Sequence, residues 1–323
     1  MMRQQIIIPD TDLGPMFPLG LGAAQAGLKW DGADADRLFD AFLSFGGNVI
    51  DTARVYSDWV KPEIGRSERV LGDWFSRSKK RNHVILFTKG GHPDMNIPVP
   101  DLHLNRLSRQ DMVYDVEASL KALRTDYIDI YFYHRDDKSI PVSELIETLQ
   151  SFVKEGKIRY YGCSNWTSSR MKEADEYCRR MGYRSFVGNE ALLNIGYKYM
   201  NPLADDTLCY ADSEMQEYHK NNSRNLLIPY MGICGGFFHH FLEKGEDSVK
   251  DSPYYTEGNI RTAARIKELT EKYGITVSQA VLGFFTQQEF PCLPLYGPRN
   301  MENLSEVMKT FEIPFEKSDY SDL

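Results

Sequence analysis

The sequence has no C-x-x-C pair, and its five cysteines, Cys163, Cys178, Cys209, Cys234 and Cys292, are odd in number. A disulfide framework and a structural zinc site are therefore not expected, and free thiols in a reducing compartment are. No apolar run approaches the roughly 20 residues that span a bilayer. The first ten residues carry a charge but no apolar core of signal-peptide length. These absences predict a cytoplasmic, unexported chain with no membrane partner. There is no dense basic stripe: 38 Lys and Arg face 46 Asp and Glu, for a net charge of −8. A nucleic-acid partner is not expected. No His-x-His pair marks the first predicted strand, which disfavours a metal-dependent barrel hydrolase, and no metal ligands are assigned. Low-complexity tracts, solenoid repeats and linker-like shifts in composition are also missing. Residues 1–323 are expected to form a single domain.

What is present is folded-protein composition, with 42% hydrophobic and 26% charged residues. Short runs rich in β-branched and aromatic residues alternate with helix-length amphipathic segments. The runs predict strands at Pro18–Leu21, Asn48–Asp51, His83–Thr88, Ile128–Tyr133, Ile158–Cys163, Phe186–Asn189, Leu226–Pro229 and Cys292–Leu295. Helices are predicted at Ala33–Phe45, Glu68–Ser76, Arg109–Leu123, Val142–Glu155, Ser168–Met181, Asp206–Lys220, Arg261–Tyr273, Ser278–Gln287 and Asn300–Lys309. Eight βα units over about 300 residues fit an α/β fold of the (β/α)8 TIM-barrel type, with a doubly wound sheet as the rival. Gln5–Pro9 precedes the first unit and is expected to plug the barrel bottom as a strand or hairpin. Residues 190–205 and 231–258 are long connections, the kind that often carry function.

Polar residues sit at or just past the ends of three consecutive predicted strands: Asp51 with Tyr56 five residues on, Lys89, and His134. In a barrel these ends share one face. A phenol is a poor acid at neutral pH, and a nearby ammonium favours its phenolate. A carboxylate beside the lysine keeps it charged, and an imidazole can hold a carbonyl oxygen. Such a set protonates a carbonyl oxygen while a hydride reaches the carbon. Side chains supply no hydride, so a nicotinamide cofactor is implied. Taken singly, each residue has an ordinary reading: a helix cap, half-buried packing, a solvated charge, a structural histidine. The set in strand order is harder to dismiss.

These residues stand in a recognisable frame. Gly47–Tyr56, Gly65-Arg66-Ser67-Glu68 with Leu71-Gly72, Thr88-Lys89, Tyr127–Tyr131 ending in His134-Arg135, and Gly156–Arg159 leading to Gly162–Trp166 together resemble the aldo-keto reductases, in order and over most of the chain. The resemblance implies a TIM barrel that binds NADP(H) and reduces a small carbonyl compound to its alcohol. It implies Tyr56 as general acid, Lys89 and Asp51 as its tuning pair, and His134 as carbonyl orienter. It implies Ser164 and Asn165 as holders of the nicotinamide carboxamide and Tyr230 as the ring's stacking partner. Gly22, Asp51, Gly235 and Gly297 fall along the implied cofactor path. Arg299, Asn300 and Asn303 fall at its adenosine end, where Arg299 suits a 2′-phosphate.

Three departures from the family pattern stand out. Glu190, with Asn189 before it, aligns where a glutamine usually contacts the carboxamide. Met231-Gly232-Ile233 replaces Ser-Pro-Leu, and the adenine end differs near Asn303 and Val307. They leave NAD(H) open beside NADP(H). Trp30, Trp59 and His92 are candidate substrate-pocket residues, ordinary loop packing being the equal alternative. With only a short tail after Phe315, they suggest a sugar or sugar-derived carbonyl. A cofactor-binding sensor or regulatory subunit with little turnover is the second functional class. Oligomeric state is not legible. Two look-alikes carry little weight. Gly20–Gly27 loosely resembles a Rossmann glycine loop but lacks an immediately following helix, and Asn165-Trp166-Thr167 is a formal glycosylation sequon.

Overall fold

Eight short strands, all paired in parallel, form one sheet in the order β7-β6-β5-β4-β3-β2-β1-β8 in the computed structural model, which describes residues 5–321 and 323. They are β1 (Gly20–Gly22), β2 (Val49–Asp51), β3 (Ile85–Gly90), β4 (Ile128–Tyr133), β5 (Ile158–Ser164), β6 (Gly188–Leu192), β7 (Leu226–Tyr230) and β8 (Leu295–Tyr296). A parallel bridge from Leu227 to Cys292 brings the chain ahead of β8 against β7 and closes the ring. Leu227 N–H donates to Pro291 O at 3.1 Å, and Leu293 N–H donates to Leu227 O at 2.9 Å. The result is the expected TIM barrel.

The helices are α1 (Gly32–Ser44), α2 (Arg66–Ser78), α3 (Arg109–Leu123), α4 (Val142–Lys154), α5 (Ser168–Met181), α6 (Ser213–Asn221), α7 (Phe237–Lys244), α8 (Glu257–Tyr273), α9 (Val277–Gly283) and α10 (Met301–Val307). Local chemistry sets their ends. Asp31, Ser108, Thr167, Asp212 and Thr256 each cap a helix N-terminus with a side-chain oxygen. Gly182 and Gly274 end α5 and α8 in the left-handed conformation. In α1 the buried residues Ala35, Leu38, Phe39 and Phe42 recur at the three-to-four spacing of one helical face.

Several predicted boundaries move. The helix expected from Asp206 begins at Ser213, because Asp212 is its cap, Asp206 and Thr207 form a turn, and Tyr210 bridges to Leu192 in parallel. The segment Phe237–Lys244, expected as part of a long loop, is helical, with Phe237 and Phe238 buried. The helix expected at Ser278–Gln287 is α9 followed by a 3-10 turn. The sixth strand begins two residues later than expected and runs to Leu192, so it contains Glu190. The last strand also shifts toward the C-terminus. The N-terminal plug is slighter than a strand. Ile6 and Met16 form a single antiparallel bridge, and Ile8, Leu13 and Met16 fill the barrel floor against Val49, Ile85 and Leu293.

Side chains alternate along each strand. Inside the barrel, Val49, Phe87 and Phe132 form an apolar layer. A Cβ at Gly162 would lie 2.4 Å from the Phe132 ring, and one at Gly188 would lie 3.3 Å from it, so both glycines make room for that ring. Two residues further along the same strands come Asp51, Lys89, His134, Ser164 and Glu190. Period-two geometry thus converts an apolar floor into a polar mouth in one step.

The helical shell depends on a close approach between α2 and α3. A Cβ at Gly72 would lie 2.1 Å from the Ala122 carbonyl oxygen and 2.8 Å from Leu123 Cα. Both are backbone atoms and cannot swing aside. Gly72→Ala is expected to destabilise the fold by about 1–3 kcal/mol through overpacking, read as a lower urea midpoint at unchanged slope. An unchanged midpoint would mean that the helices separate without cost.

Candidate functional site

Lys89 is the centre of the mouth and is fully buried. Its ammonium donates to Asp51 Oδ1 at 2.5 Å, to the Thr52 carbonyl at 2.9 Å and to the Tyr56 hydroxyl at 3.1 Å. Glu190 Oε2 lies 3.2 Å away as an ion-pair partner. An ammonium has three protons. Asp51, Thr52 and Tyr56 take them, and Glu190 Oε1 has no hydrogen-bond partner at all. Asp51, Lys89 and Glu190 come from β2, β3 and β6, so the barrel's closure creates the cluster. Tyr56 is carried by the turn that follows β2, where Arg54 N–H donates to the Lys89 carbonyl at 3.0 Å.

The electrostatics follow from burial and charge. Burial alone would discharge Lys89, but Asp51 and Glu190 reverse that and hold it as an ammonium. Burial pushes Asp51 above the usual carboxylate range against the pull of Lys89. Burial and the neighbouring Asp51 push Glu190 well above it. The expectation for Tyr56 needs correction. Burial raises its phenol, Lys89 pulls it down, and Asp51 and Glu190 push it up again, so the net direction is upward. The carboxylates cancel much of what the ammonium offers. The phenol is held as an acid that releases its proton only to a strong acceptor.

His134 stands across from Tyr56, its ring 5.7 Å away centroid to centroid and nearly perpendicular. Its Nδ1 is buried without a partner. Burial, His92 and Arg135 push its pKa well below the usual value, so the imidazole is neutral. His92 lies 4.7 Å from His134 ring to ring, donates through Nδ1 to Pro93 O at 3.0 Å if protonated there, and is lowered to about 4 by burial and Arg135. Together these groups can hold a carbonyl oxygen between a phenol and a neutral imidazole.

The other predicted residues divide. Ser164 and Asn165 end β5. Asn165 adopts φ +61°, a left-handed conformation asparagine tolerates. Its amide donates to Ser164 Oγ at 3.0 Å, and its oxygen accepts from the Tyr230 hydroxyl at 2.6 Å and from Cys209 N–H at 3.1 Å. Ser164 pairs in register with Glu190, and Asn165 N–H donates to the Glu190 carbonyl at 2.9 Å. Register also decides the choice between neighbours. Glu190 faces the barrel interior, while Asn189 points outward to Met215 and His219. Glu190 is not simply a substitute for an amide, because one of its oxygens faces Lys89.

A second group lies on the β8 side. A Cβ on Gly22 would lie 3.7 Å from Gly297 N, and one on Gly297 would lie 3.3 Å from Gly22 O. Gly235 and Gly236 have φ +61° and +85°, and a Cβ on Gly236 would lie 3.8 Å from an Arg299 guanidinium nitrogen. Arg299 is exposed and makes no ion pair among the described residues. Asn300 caps α10, its side-chain oxygen accepting from the Asn303 backbone N–H at 2.9 Å, which commits the Asn300 oxygen to the helix end and leaves the Asn303 side chain out of the cap.

Trp30 is 4% exposed, packs edge-on against Phe39, and donates its indole N–H to Pro298 O at 3.3 Å. It supports the loop after β8. Trp59 is exposed at 46% on the rim.

Two features escaped the sequence reading. Arg135, buried beside His134, donates to Thr207 Oγ1 at 3.0 Å and pairs with Asp205 at 3.2 Å, tying the loop after β6 over the mouth. Its only sequence signal was its place next to His134. A cavity of about 280 Å³ also borders Lys89 and His92 and is lined by Arg54, Asp58, Arg106 and Asp115. Close by, Glu68 is raised to about 7 by burial. Contacts between side chains so far apart in sequence leave no local signal.

Comparison with known proteins gives the family. The model of the aldo/keto reductase family matches residues 18–323. This chain belongs to the aldo/keto reductase family. Its curated relatives include norsolorinic acid reductase B of Aspergillus parasiticus, 34% identical over 90% of this chain and 75% of the relative. They also include aryl-alcohol dehydrogenase [NADP(+)] of Phanerodontia chrysosporium, 27% identical over 96% and 82%. A third is an aldo-keto reductase of Bacillus subtilis, 26% identical over 90% and 84%. This aldo/keto reductase is an NAD(P)H-dependent enzyme of carbonyl reduction. No helix among its described residues is long and apolar enough to cross a membrane.

Proposed function

We propose that this aldo/keto reductase reduces an aldehyde or ketone to the alcohol with NADPH, Tyr56 donating the proton. One observation carries the reading. Tyr56, Asp51 and Glu190 all converge on the single buried ammonium of Lys89, with neutral His134 across from the phenol.

The bound nucleotide supplies the hydride. The chain's own residues do the rest. His134 and Tyr56 hold the carbonyl oxygen, and as negative charge develops there the Tyr56 proton moves to it. Lys89 stabilises the phenolate left behind, and Asp51 keeps Lys89 charged and aimed. The residues fit a nicotinamide nucleotide. Glu190 Oε1 is a buried polar atom without a partner, in register with Ser164. Tyr230 offers a partly exposed ring, and the left-handed glycines beside Arg299 leave room for phosphates.

Arg299 supports NADP(H) over NAD(H). Arg299→Ala is expected to weaken NADPH binding by about tenfold, toward the lower end for a charged hydrogen bond because the site is exposed. NADH binding should hardly change. Fluorescence titration checks both, and equal losses for the two nucleotides would remove Arg299 from the 2′-phosphate.

The relatives' names favour aryl aldehydes and ketones as the first substrates to assay. Sugar-derived carbonyls, the class suggested by Trp59 and His92 near the mouth, are the second. Following NADPH consumption with both panels tests the reading. Tight nucleotide binding with no turnover on either panel would favour a sensor or regulatory subunit instead.

A further inference from the structure

The site holds one more acid than the proton transfer uses. Asp51 and Glu190 are 2% and 1% exposed, and both address the one ammonium of Lys89. With both ionised, the cluster would carry a net negative charge out of contact with water, which is costly. With one proton shared between them it is neutral. Geometry favours Glu190 as its holder. Asp51 is closer to the ammonium, at 2.5 Å against 3.2 Å for Glu190, and the hydrogen bond between the two carboxyl groups favours the charged form of Asp51 and the protonated form of Glu190, whose other oxygen is free. Two carboxyl groups at one charge titrate as a pair, with one of them held protonated.

We propose that Glu190 keeps this proton while the nucleotide site is empty or holds reduced nicotinamide, and releases it when the oxidised, cationic nicotinamide binds. The proposal rests on the nucleotide site inferred above. The hydride must reach the carbon whose oxygen Tyr56 protonates, so a bound nicotinamide ring would lie on the Tyr56 side of the mouth, across the reacting carbonyl from the hydroxyl. Tyr56 and Glu190 both touch the Lys89 ammonium, at 3.1 and 3.2 Å. The ring's positive charge would therefore arise on the order of 5–10 Å from Glu190, in surroundings that screen it poorly. A cation there favours the carboxylate, and the carboxylate favours the cation. By linkage, affinity for NADP+ rises with pH and affinity for NADPH does not.

The groups facing Glu190 are Asp51 from β2, Tyr56 from the turn after it, Lys89 from β3, Cys163 from β5 and Tyr230 from β7, with His134 beyond Lys89. Burial holds Cys163 and Tyr230 protonated and His134 neutral. Lys89 stays charged. Tyr56 is the rival proton source.

The test counts protons. Calorimetric titrations with NADP+ and with NADPH, in buffers of different protonation enthalpy, give the number released by each. The phosphates are common to both nucleotides and cancel in the difference. Wild-type protein should release more protons with NADP+ than with NADPH. Its NADP+ affinity, relative to NADPH, should rise by up to about tenfold per pH unit through the neutral range. Glu190→Gln keeps the shape and cannot ionise, and should show no difference between the nucleotides. Equal release by wild type for both nucleotides would overturn the proposal, whether or not the variant folds. So would an unchanged difference in Glu190→Gln that disappears in Tyr56→Phe. Failure to bind either nucleotide would instead overturn the site on which the proposal stands.

Discussion

Tyr56→Phe is expected to lower turnover by about 10²–10⁴-fold or more, the usual worth of a positioned general acid, with NADPH affinity nearly unchanged. The substitution removes one oxygen. That oxygen accepts from Lys89 at 3.1 Å and is the candidate proton donor nearest the buried charge cluster. The ring still fills its place beside His134, and Lys89 keeps Asp51 and the Thr52 carbonyl as partners. The fold should therefore survive. Turnover measured with saturating NADPH and a fluorescence titration of the same preparation separate the two effects. Wild-type turnover in the variant would end the assignment of Tyr56. A matching loss of nucleotide affinity would show that the ring, and not the proton, is what the site needs.

Lys89→Met should remove both activity and stability. Without the ammonium, Asp51 and Glu190 face each other buried and unpaired. Breaking a buried ion pair on one side costs about 3–5 kcal/mol. The pH dependence has a definite sign. Both carboxyl groups already sit above the usual range, and losing Lys89 raises them further. Groups raised on folding contribute stability at low pH and lose it as pH rises through their folded values. The variant's deficit should be largest at alkaline pH and shrink toward the ordinary carboxylate range. Denaturant midpoints at several pH values check this. A deficit that does not vary with pH would mean that the loss is one of packing alone.

Much of this enzyme was legible because its signals are local. Alternation of strand and helix patterns marked all eight strands and most helices, and with them the barrel. Asp51, Lys89 and His134 were visible as polar residues ending apolar runs, a break in pattern that needs no partner to be seen. The start of α8 was placed at Arg261, four residues late, because the Thr256 cap and the turn of residues 257–260 precede the clear helical pattern. Helix α7 was missed because it is short and lies among glycines. The start of α6 was misplaced because Asp206 and Asp212 are equally good caps in isolation, and only the packing of Met215 and Tyr218 chooses the second.

The sequence by itself singled out Asp51, Tyr56, Lys89 and His134 as candidates and placed them at one end of a barrel, because strand period and chain order are local properties. Tertiary structure alone decided what those residues do to one another. The register of β6 against β5 turned Glu190, not Asn189, into the barrel. Closure of the ring then set that carboxyl on the same ammonium as Asp51. Desolvation reversed the expected lowering of the Tyr56 phenol, and packing against Phe39 buried Trp30. Burial and charge proximity are sums over groups far apart in the chain, and they have values only once the chain has folded.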